Sequence, residues 1–372
     1  MKVGILGGGQ LGRMLLQAAA NYTVTTFVLE NNANCPAAHL CHNFILGNIT
    51  NYNDVYNFGK LVDALTIEIE NVNIEALEAL EKEGVAIYPK PNVLRIIKNK
   101  IEQKAYYTAH QIPTANYTVI ANSTEGKAAC SSYPKINKIA QGGYDGKGVA
   151  LIKNSNELNE IFNAPGIIED LVDIDKEIAV IIAVSQTGEI VMYPPVWMIF
   201  DNKLHLLDYQ LCPVQLPDNL KWKLEAIART VVKNFNSAGI FAVELFIDRA
   251  GKVLINETAP RVHNSGHHTI EGNYCSQYDM LWRIILNYPL GNPDVKLPTA
   301  LINIIGAESY SGKAIYNGLN NVLALDKCFV HLYGKAETKP GRKMGHVTIA
   351  SSDMSDLKYL ANKVKHTLKV VS

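Results

Sequence analysis

Two acidic residues in the second half of the chain have the spacing of a metal grip. In FAVELFID-RAGK-VLINET, two β-rich apolar runs flank a tight turn. With Ala250 and Gly251 as the central turn residues, paired positions sum to 501 and Glu244 falls directly opposite Glu257. Such partners have Cα atoms about 4.5–5.5 Å apart and side chains on one face. Facing carboxylates repel each other, and a divalent cation removes the conflict. Asn256 adds a neutral oxygen beside Glu257, and all-oxygen ligands next to phosphate favour Mg²⁺ over zinc. One extra residue in the loop would shift this register.

Two glycine loops add anion chemistry. Gly7-Gly8-Gly9-Gln10-Leu11-Gly12 fits G-x-G-x-x-G, follows a strand, opens a helix and is followed by Glu30 at the end of a second strand. That is the local context of a dinucleotide fingerprint, although any anion can use unpaired amides at a helix N-terminus. A tight turn with no ligand fits the same residues. The second loop, Gly142-Gly143-Tyr144-Asp145-Gly146-Lys147-Gly148, joins two β segments and lacks the G-K-[ST] ending and following helix of a P-loop. Four glycines in seven residues suit a flap that closes over phosphates, and Lys138 lies just upstream.

Three further stretches carry polar groups. IIEDLVDIDKE sets Glu169 at a strand end and Glu177 after a short connector, which suits an adenine edge and ribose hydroxyls or else a solvated acidic turn. APRVHNSGHHT packs Arg261, His263, Asn264, Ser265, His267 and His268 without helical periodicity and reads as a ligand loop. KPGRKMGH places Arg342, Lys343 and His346 on a glycine-bounded turn, a second anion site.

The elements that must hold these groups alternate strand and helix at first. Strands are expected at 2–6, 23–29, 43–46, 63–69 and 85–88, with helices to residue 20 and around 74–83: a parallel sheet covered on both faces. Pro89 and Pro91 end this unit. Residues 92–110 read as helical, and short β segments follow at 117–120, 134–139, 148–152, 167–169, 178–184 and 190–193. Helices are expected at 221–237, 276–288 and 354–368, and strands at 301–305 and 345–350.

Composition narrows the function. The chain has 372 residues, enough for two or three domains, and its 35 Lys+Arg balance 35 Asp+Glu. A neutral chain lacks the basic excess expected of a nucleic-acid binder. Apolar residues make up 48%, so extensive disorder is not expected, and no apolar run is long enough to predict a membrane span. MKVGILGGGQLGRM reads as a buried strand rather than a signal peptide, so a cytoplasmic location is expected. The cysteines at 35, 41, 130, 212, 275 and 328 include no C-x-x-C and read as reduced thiols. Cys35, His39, Cys41 and His42 include metal-ligand types but match no zinc template.

Taken in order, GGGQLGRM, TIEIENV, GGYDGKG, VELFID, INETAPRVHNSGH and PGRKMGH resemble the N5-carboxyaminoimidazole ribonucleotide synthases, ATP-grasp enzymes of purine synthesis, across essentially the whole chain. The resemblance implies an α/β and α+β chain in three parts: a Rossmann-like domain (1–90), an ATP-grasp domain (91–295) with a mobile lid at about 113–170, and a small mixed α/β C-terminal domain (296–372). It implies an ATP- and Mg²⁺-dependent carbon–nitrogen ligase that carboxylates 5-aminoimidazole ribonucleotide with bicarbonate through carboxyphosphate, giving ADP, phosphate and the N5-carbamate. Family members are typically homodimers.

Residue by residue, the resemblance gives ATP contacts to Lys100 (where the family usually has Arg), Lys138, Gly143, Tyr144, Asp145, Gly146, Lys147, Gly148, Val149, Glu169, Asp170, Leu171, Val172, Glu177, Asn256 and Glu257. Glu244 and Glu257 match the metal ligands. Substrate and bicarbonate fall to Asp145, Arg261, His263, Asn264, Ser265, Arg342 and Lys343, with Gln10, Leu11 and Glu70 on the first domain. Asp145, Lys343 and Arg261 would act on the reacting groups. The resemblance turns the first glycine loop toward the ribonucleotide rather than NAD. Ile67 and Ile69 replace the family's usual phenylalanines, and Trp197 in YPPVW has no assigned role. A sister ligase, such as formate-dependent glycinamide ribonucleotide transformylase, is the alternative; an NAD oxidoreductase or a non-catalytic nucleotide binder follows less well.

Overall fold

The computed structural model describes residues 1–143, 148–200 and 207–372. Its first part is a five-stranded parallel sheet in the order Asn43–Leu46, Thr25–Glu30, Lys2–Leu6, Ala64–Ile67 and Ala86–Tyr88. Strands with both faces covered need apolar residues throughout, and Ala64–Ile67 is buried at every position. The helix Gln10–Ala19 packs against the helix Gln277–Ile285, where the indole of Trp282 donates to the carbonyl of Leu15 at 2.7 Å. That shared core fixes the first glycine loop beside the segment at 261–268.

A helical stretch at 92–110 was expected; the structure breaks it into Pro91–Lys98 and Lys100–Ala109. Asn99 is extended between them, and its side chain accepts a hydrogen bond from the amide of Ile101 at 2.9 Å. This side-chain cap starts a fresh helix. Lys100 therefore sits in the first turn, with Lys104 one turn further along the same face.

A four-stranded antiparallel sheet, in the order Tyr117–Ile120, Gly166–Asp170, Lys135–Ile139 and Val149–Ile152, forms the lid layer. The base is a nine-stranded sheet running from Val253–Ala259 through Gly239–Asp248, Ile174–Val184, Val196–Phe200 and Leu207–Cys212 to Thr299–Ile305, Lys343–Ala350 and Cys328–Leu332, with Ile190–Met192 paired on Ile174–Val184. Val196–Phe200, Leu207–Cys212 and Cys328–Leu332 carry no strong alternation and escape sequence reading. Leu207–Cys212 pairs with Thr299–Ile305, so the final part of the chain extends the central sheet. The helix Tyr52–Gly59, capped by Asn51, is also unexpected from the sequence.

Candidate active site

The hairpin that carries the two carboxylates is built differently from the expected one. Asp248 and Lys252 close a three-residue loop, in which Gly251 has φ +75, so the first pairs sum to 500 rather than 501. Leu245 faces Ile255, but Glu244 faces Glu257. The register shift between them is a bulge at Asn256, and the extra strand residue restores the pairing that the longer loop would have broken. Adjacent residues of a regular strand point to opposite faces. Here Asn256 and Glu257 both line one cleft: Asn256 Oδ1 accepts from Lys138 Nζ at 3.1 Å, and Glu257 pairs with Lys100 Nζ at 2.7 Å.

The cleft, about 410 Å³, lies between the lid sheet and the base. Ile136, Val149, Val172, Ile174, Phe200, Phe246 and Ile255 supply apolar wall; Gly143, Asp170 and Leu171 complete the lid side. Lys100, Lys104, Lys138, Glu169, Glu177, Glu244, Asn256 and Glu257 supply the polar groups. Burial, reinforced by Glu257 and Glu177, pushes the pKa of Glu244 up. Lys100 holds Glu257 low, and although burial works against the Lys100 charge, Glu257 outweighs it and raises the lysine pKa. Burial raises Glu177 to about 7 against a modest opposing pull from Lys138. One carboxyl is thus kept charged by a lysine and two are driven toward the neutral form.

Glu169, Asp170, Leu171 and Val172 all line the cleft, and the Glu169 side chain is held by two lysines. Its buried carboxylate pairs with Lys138 Nζ at 2.6 Å and with Lys104 Nζ. Asp170 likewise turns to Lys135, at 2.5 Å, and to Asn116, at 2.9 Å. Trp197 does not line the cleft, whereas Phe200, three residues on, does. Lys104 and Phe200 carry no motif; only the i,i+4 spacing from Lys100 hinted at the first. Gly148, with φ +77, ends the second glycine loop. Tyr144, Asp145, Gly146 and Lys147 lie outside the described residues.

Arg261 pairs with Glu70 at 2.9 Å, joining the base to the first domain. His263 Nδ1 meets Ser265 Oγ at 2.9 Å, and its Nε2 lies 3.7 Å from Glu244 Oε1, so this loop abuts the carboxylate pair. Asn264 Oδ1 and Arg261 Nε are buried without a hydrogen-bond partner among the described residues. Arg342 donates to the Glu337 carbonyl at 2.9 Å, and the carbonyl of Lys343 accepts from Lys335 at 2.7 Å. Lys343 is close enough to lower the pKa of Glu244.

Several expectations are corrected here. His346 lies not on a turn but inside Lys343–Ala350, fully buried and stacked 4.5 Å from His331 and 4.8 Å from His267. His267 and His268 are core, and burial drives the pKa of both down. Three amides of the first glycine loop are taken by carboxylates of the chain itself. Glu30 accepts from the Gly8 amide at 3.0 Å, while Glu68 accepts from Gly9 at 2.7 Å and Gly12 at 2.9 Å. A Cβ on Gly9 would come within 2.6 Å of Glu68, so the glycine admits a carboxylate of the chain itself. Gln10 opens the helix half-buried, and the Leu11 side chain belongs to the core.

A nucleotide-sized cleft closed between two antiparallel sheets, with lysines above and facing carboxylates below, defines an ATP-grasp protein. Residues 105–278 match the ATP-grasp domain profile, 1–98 the ribonucleotide synthetase preATP-grasp domain, and 299–359 the phosphoribosylaminoimidazole carboxylase C-terminal domain. The N5-carboxyaminoimidazole ribonucleotide synthase of Synechococcus elongatus is 32% identical over 361 residues, covering 95% of this chain and 90% of the relative. The crystal structure of the Thermotoga maritima N5-carboxyaminoimidazole ribonucleotide synthetase superposes with TM-score 0.92 at 34% identity, covering 100% of this chain and 99% of that one. The Aspergillus clavatus synthase, solved with ADP and 5-aminoimidazole ribonucleotide, gives TM-score 0.90 at 29% identity, with 98% of each chain covered. The chain belongs to the N5-carboxyaminoimidazole ribonucleotide synthase family. It spans 65% of the length of the chloroplastic phosphoribosylaminoimidazole carboxylase of Vigna aconitifolia, to which it is 35% identical.

Proposed function

We propose that this chain carboxylates 5-aminoimidazole ribonucleotide with bicarbonate at the expense of ATP, giving N5-carboxyaminoimidazole ribonucleotide, ADP and phosphate in purine synthesis. The observation that carries this reading is the meeting of two sites: His263, on the loop that bears Arg261, Asn264 and Ser265, lies 3.7 Å from Glu244 on the floor of the nucleotide cleft. Buried Asn264 Oδ1 and Arg261 Nε await polar partners, as a ribonucleotide would provide. Lys100 and Lys138 bind phosphate oxygens, Glu177 the ribose hydroxyls, and the apolar wall the base.

Glu244, Glu257 and the Asn256 oxygen fit Mg²⁺, because they are hard oxygen donors and only two are carboxylates, which leaves positions for phosphate and water. When bound, the ion supplies charge neutralisation at the phosphates. Bicarbonate attacks the γ-phosphorus, ADP leaves, and carboxyphosphate forms in a closed site from which water is excluded. The exocyclic amine of the ribonucleotide captures the carboxyl carbon, phosphate departs and the amine loses a proton. Lys343, Arg261 and Asp145 orient the reacting groups, Asp145 on the strength of the resemblance alone. A cytoplasmic location, the expectation from the sequence, and a homodimer, the expectation from the resemblance, complete the proposal.

The test is ADP release with and without aminoimidazole ribonucleotide and bicarbonate. Stimulation that needs both is expected; stimulation by formate with glycinamide ribonucleotide instead would replace this reading by the sister ligase. Sedimentation velocity reads the dimer directly.

A further inference from the structure

Lys104 belongs to no recognised motif, yet it is 3% exposed at the back of the nucleotide cleft. Its Nζ meets one oxygen of Glu169 and donates to Thr114 Oγ1, which in turn donates to the carbonyl of Ile255 at 2.9 Å, two residues before Glu257. The other oxygen of Glu169 holds Lys138 at 2.6 Å. Glu169 thus stands between two lysines of different freedom. Lys104 is sealed in by the helix Lys100–Ala109 and Thr114, whereas Lys138 reaches the cleft and also touches Asn256. The three groups come from the helix Lys100–Ala109 and from two strands of the lid sheet, so the cluster also ties the lid to that helix.

A triphosphate entering the cleft competes with Glu169 for Lys138. Were Lys138 its sole counter-ion, Glu169 would be left buried and unpaired, a strongly unfavourable state that would hold the lysine back. We propose that Lys104 is a positioning residue, the fixed counter-ion of Glu169, which lets Glu169 aim Lys138 into the empty cleft and release it when phosphate arrives. Glu169 keeps a pKa below its ordinary value: burial raises it, but Lys138 and Lys104 together outweigh burial. The inference rests on the reading of this cleft as the ATP site.

Lys104→Met keeps the apolar stem and removes the charge. Direct ATP binding and steady-state ADP release, with the ribonucleotide varied separately, read the result. The ATP Kd and KM should rise by about ten-fold or more, with the ribonucleotide KM unchanged. Adding Glu169→Gln to Lys104→Met frees Lys138 and should bring the ATP KM back to within about three-fold of the wild type. A merely structural lysine predicts that the second change worsens the first. An unchanged ATP KM in Lys104→Met, or a double variant no better than the single, overturns the inference. Wild-type protein that binds no ATP overturns the cleft assignment instead. Should Lys104→Met not fold, Thr114→Val removes only the hydroxyl that seats the lysine. A rise of about two- to five-fold in ATP KM then supports the inference, and no rise overturns it.

Discussion

Lys100 and Glu257 are joined by a 2.7 Å ion pair, and this contact places a cation of the chain beside the carboxylate on which a divalent ion is expected. Glu244 and Glu257 would repel if both were charged and alone; Lys100 keeps Glu257 ionised while burial keeps Glu244 toward the neutral form. The facing carboxyl pair is therefore held by a lysine of the chain itself.

Glu257→Gln removes the charge without changing the shape. Loss of one electrostatic stabiliser commonly lowers the rate by about 10²–10³. ADP release by this variant should fall by that order at saturating Mg²⁺; turnover at the wild-type rate would refute the metal assignment.

Glu177 has its pKa raised to about 7 by burial, so in the free cleft it is protonated below that pH and ionised above it. Ribose hydroxyls donate more strongly to a carboxylate than to a neutral acid. ATP affinity should therefore tighten as pH rises from 6 to 8, by up to about ten-fold. Because ATP itself titrates in this range, the readout is the difference between wild type and Glu177→Gln. Parallel pH profiles for the two proteins would count against the assignment.

Lys343 opens the strand Lys343–Ala350 and is close enough to act on Glu244, beside the loop at 261–265. Lys343→Ala should impair carboxylation at least about ten-fold while leaving ATP affinity within about two-fold. Isothermal titration with ATP, run beside a product assay, separates the two effects. Equal losses in both would move Lys343 to the nucleotide side.

Gly251 has φ +75 and open space around its missing Cβ, so Gly251→Ala tests backbone conformation alone. Destabilisation of about 1–2 kcal/mol is expected from the left-handed geometry, and less for Gly251→Asn. Urea denaturation measures it. Turnover per folded molecule should be unchanged, because the bulge at Asn256 lies between the loop and the carboxylates.

Much of the site was legible because it depends on short-range rules. Alternation located the hairpin strands, glycine spacing located both loops, and like charges across a hairpin pointed to a cation. The facing of Glu244 and Glu257 was read correctly from a loop one residue too short; the bulge at Asn256 supplied the missing residue. Bulges leave no periodic trace, so nothing local marked it. The first loop shows the same limit: Glu68, 59 residues beyond Gly9, accepts from the Gly9 and Gly12 amides, which look available in sequence.

The sequence by itself determined most of the strands and helices, the order of the three parts and the types of group the site would contain. Periodicity, caps and turn residues act over a few positions and survive in one dimension. The tertiary structure alone decided which carboxylate meets which cation. Glu169 between Lys104 and Lys138, His263 against Glu244, and His346 buried beneath His267 each depend on elements distant in the chain that pack through a common core.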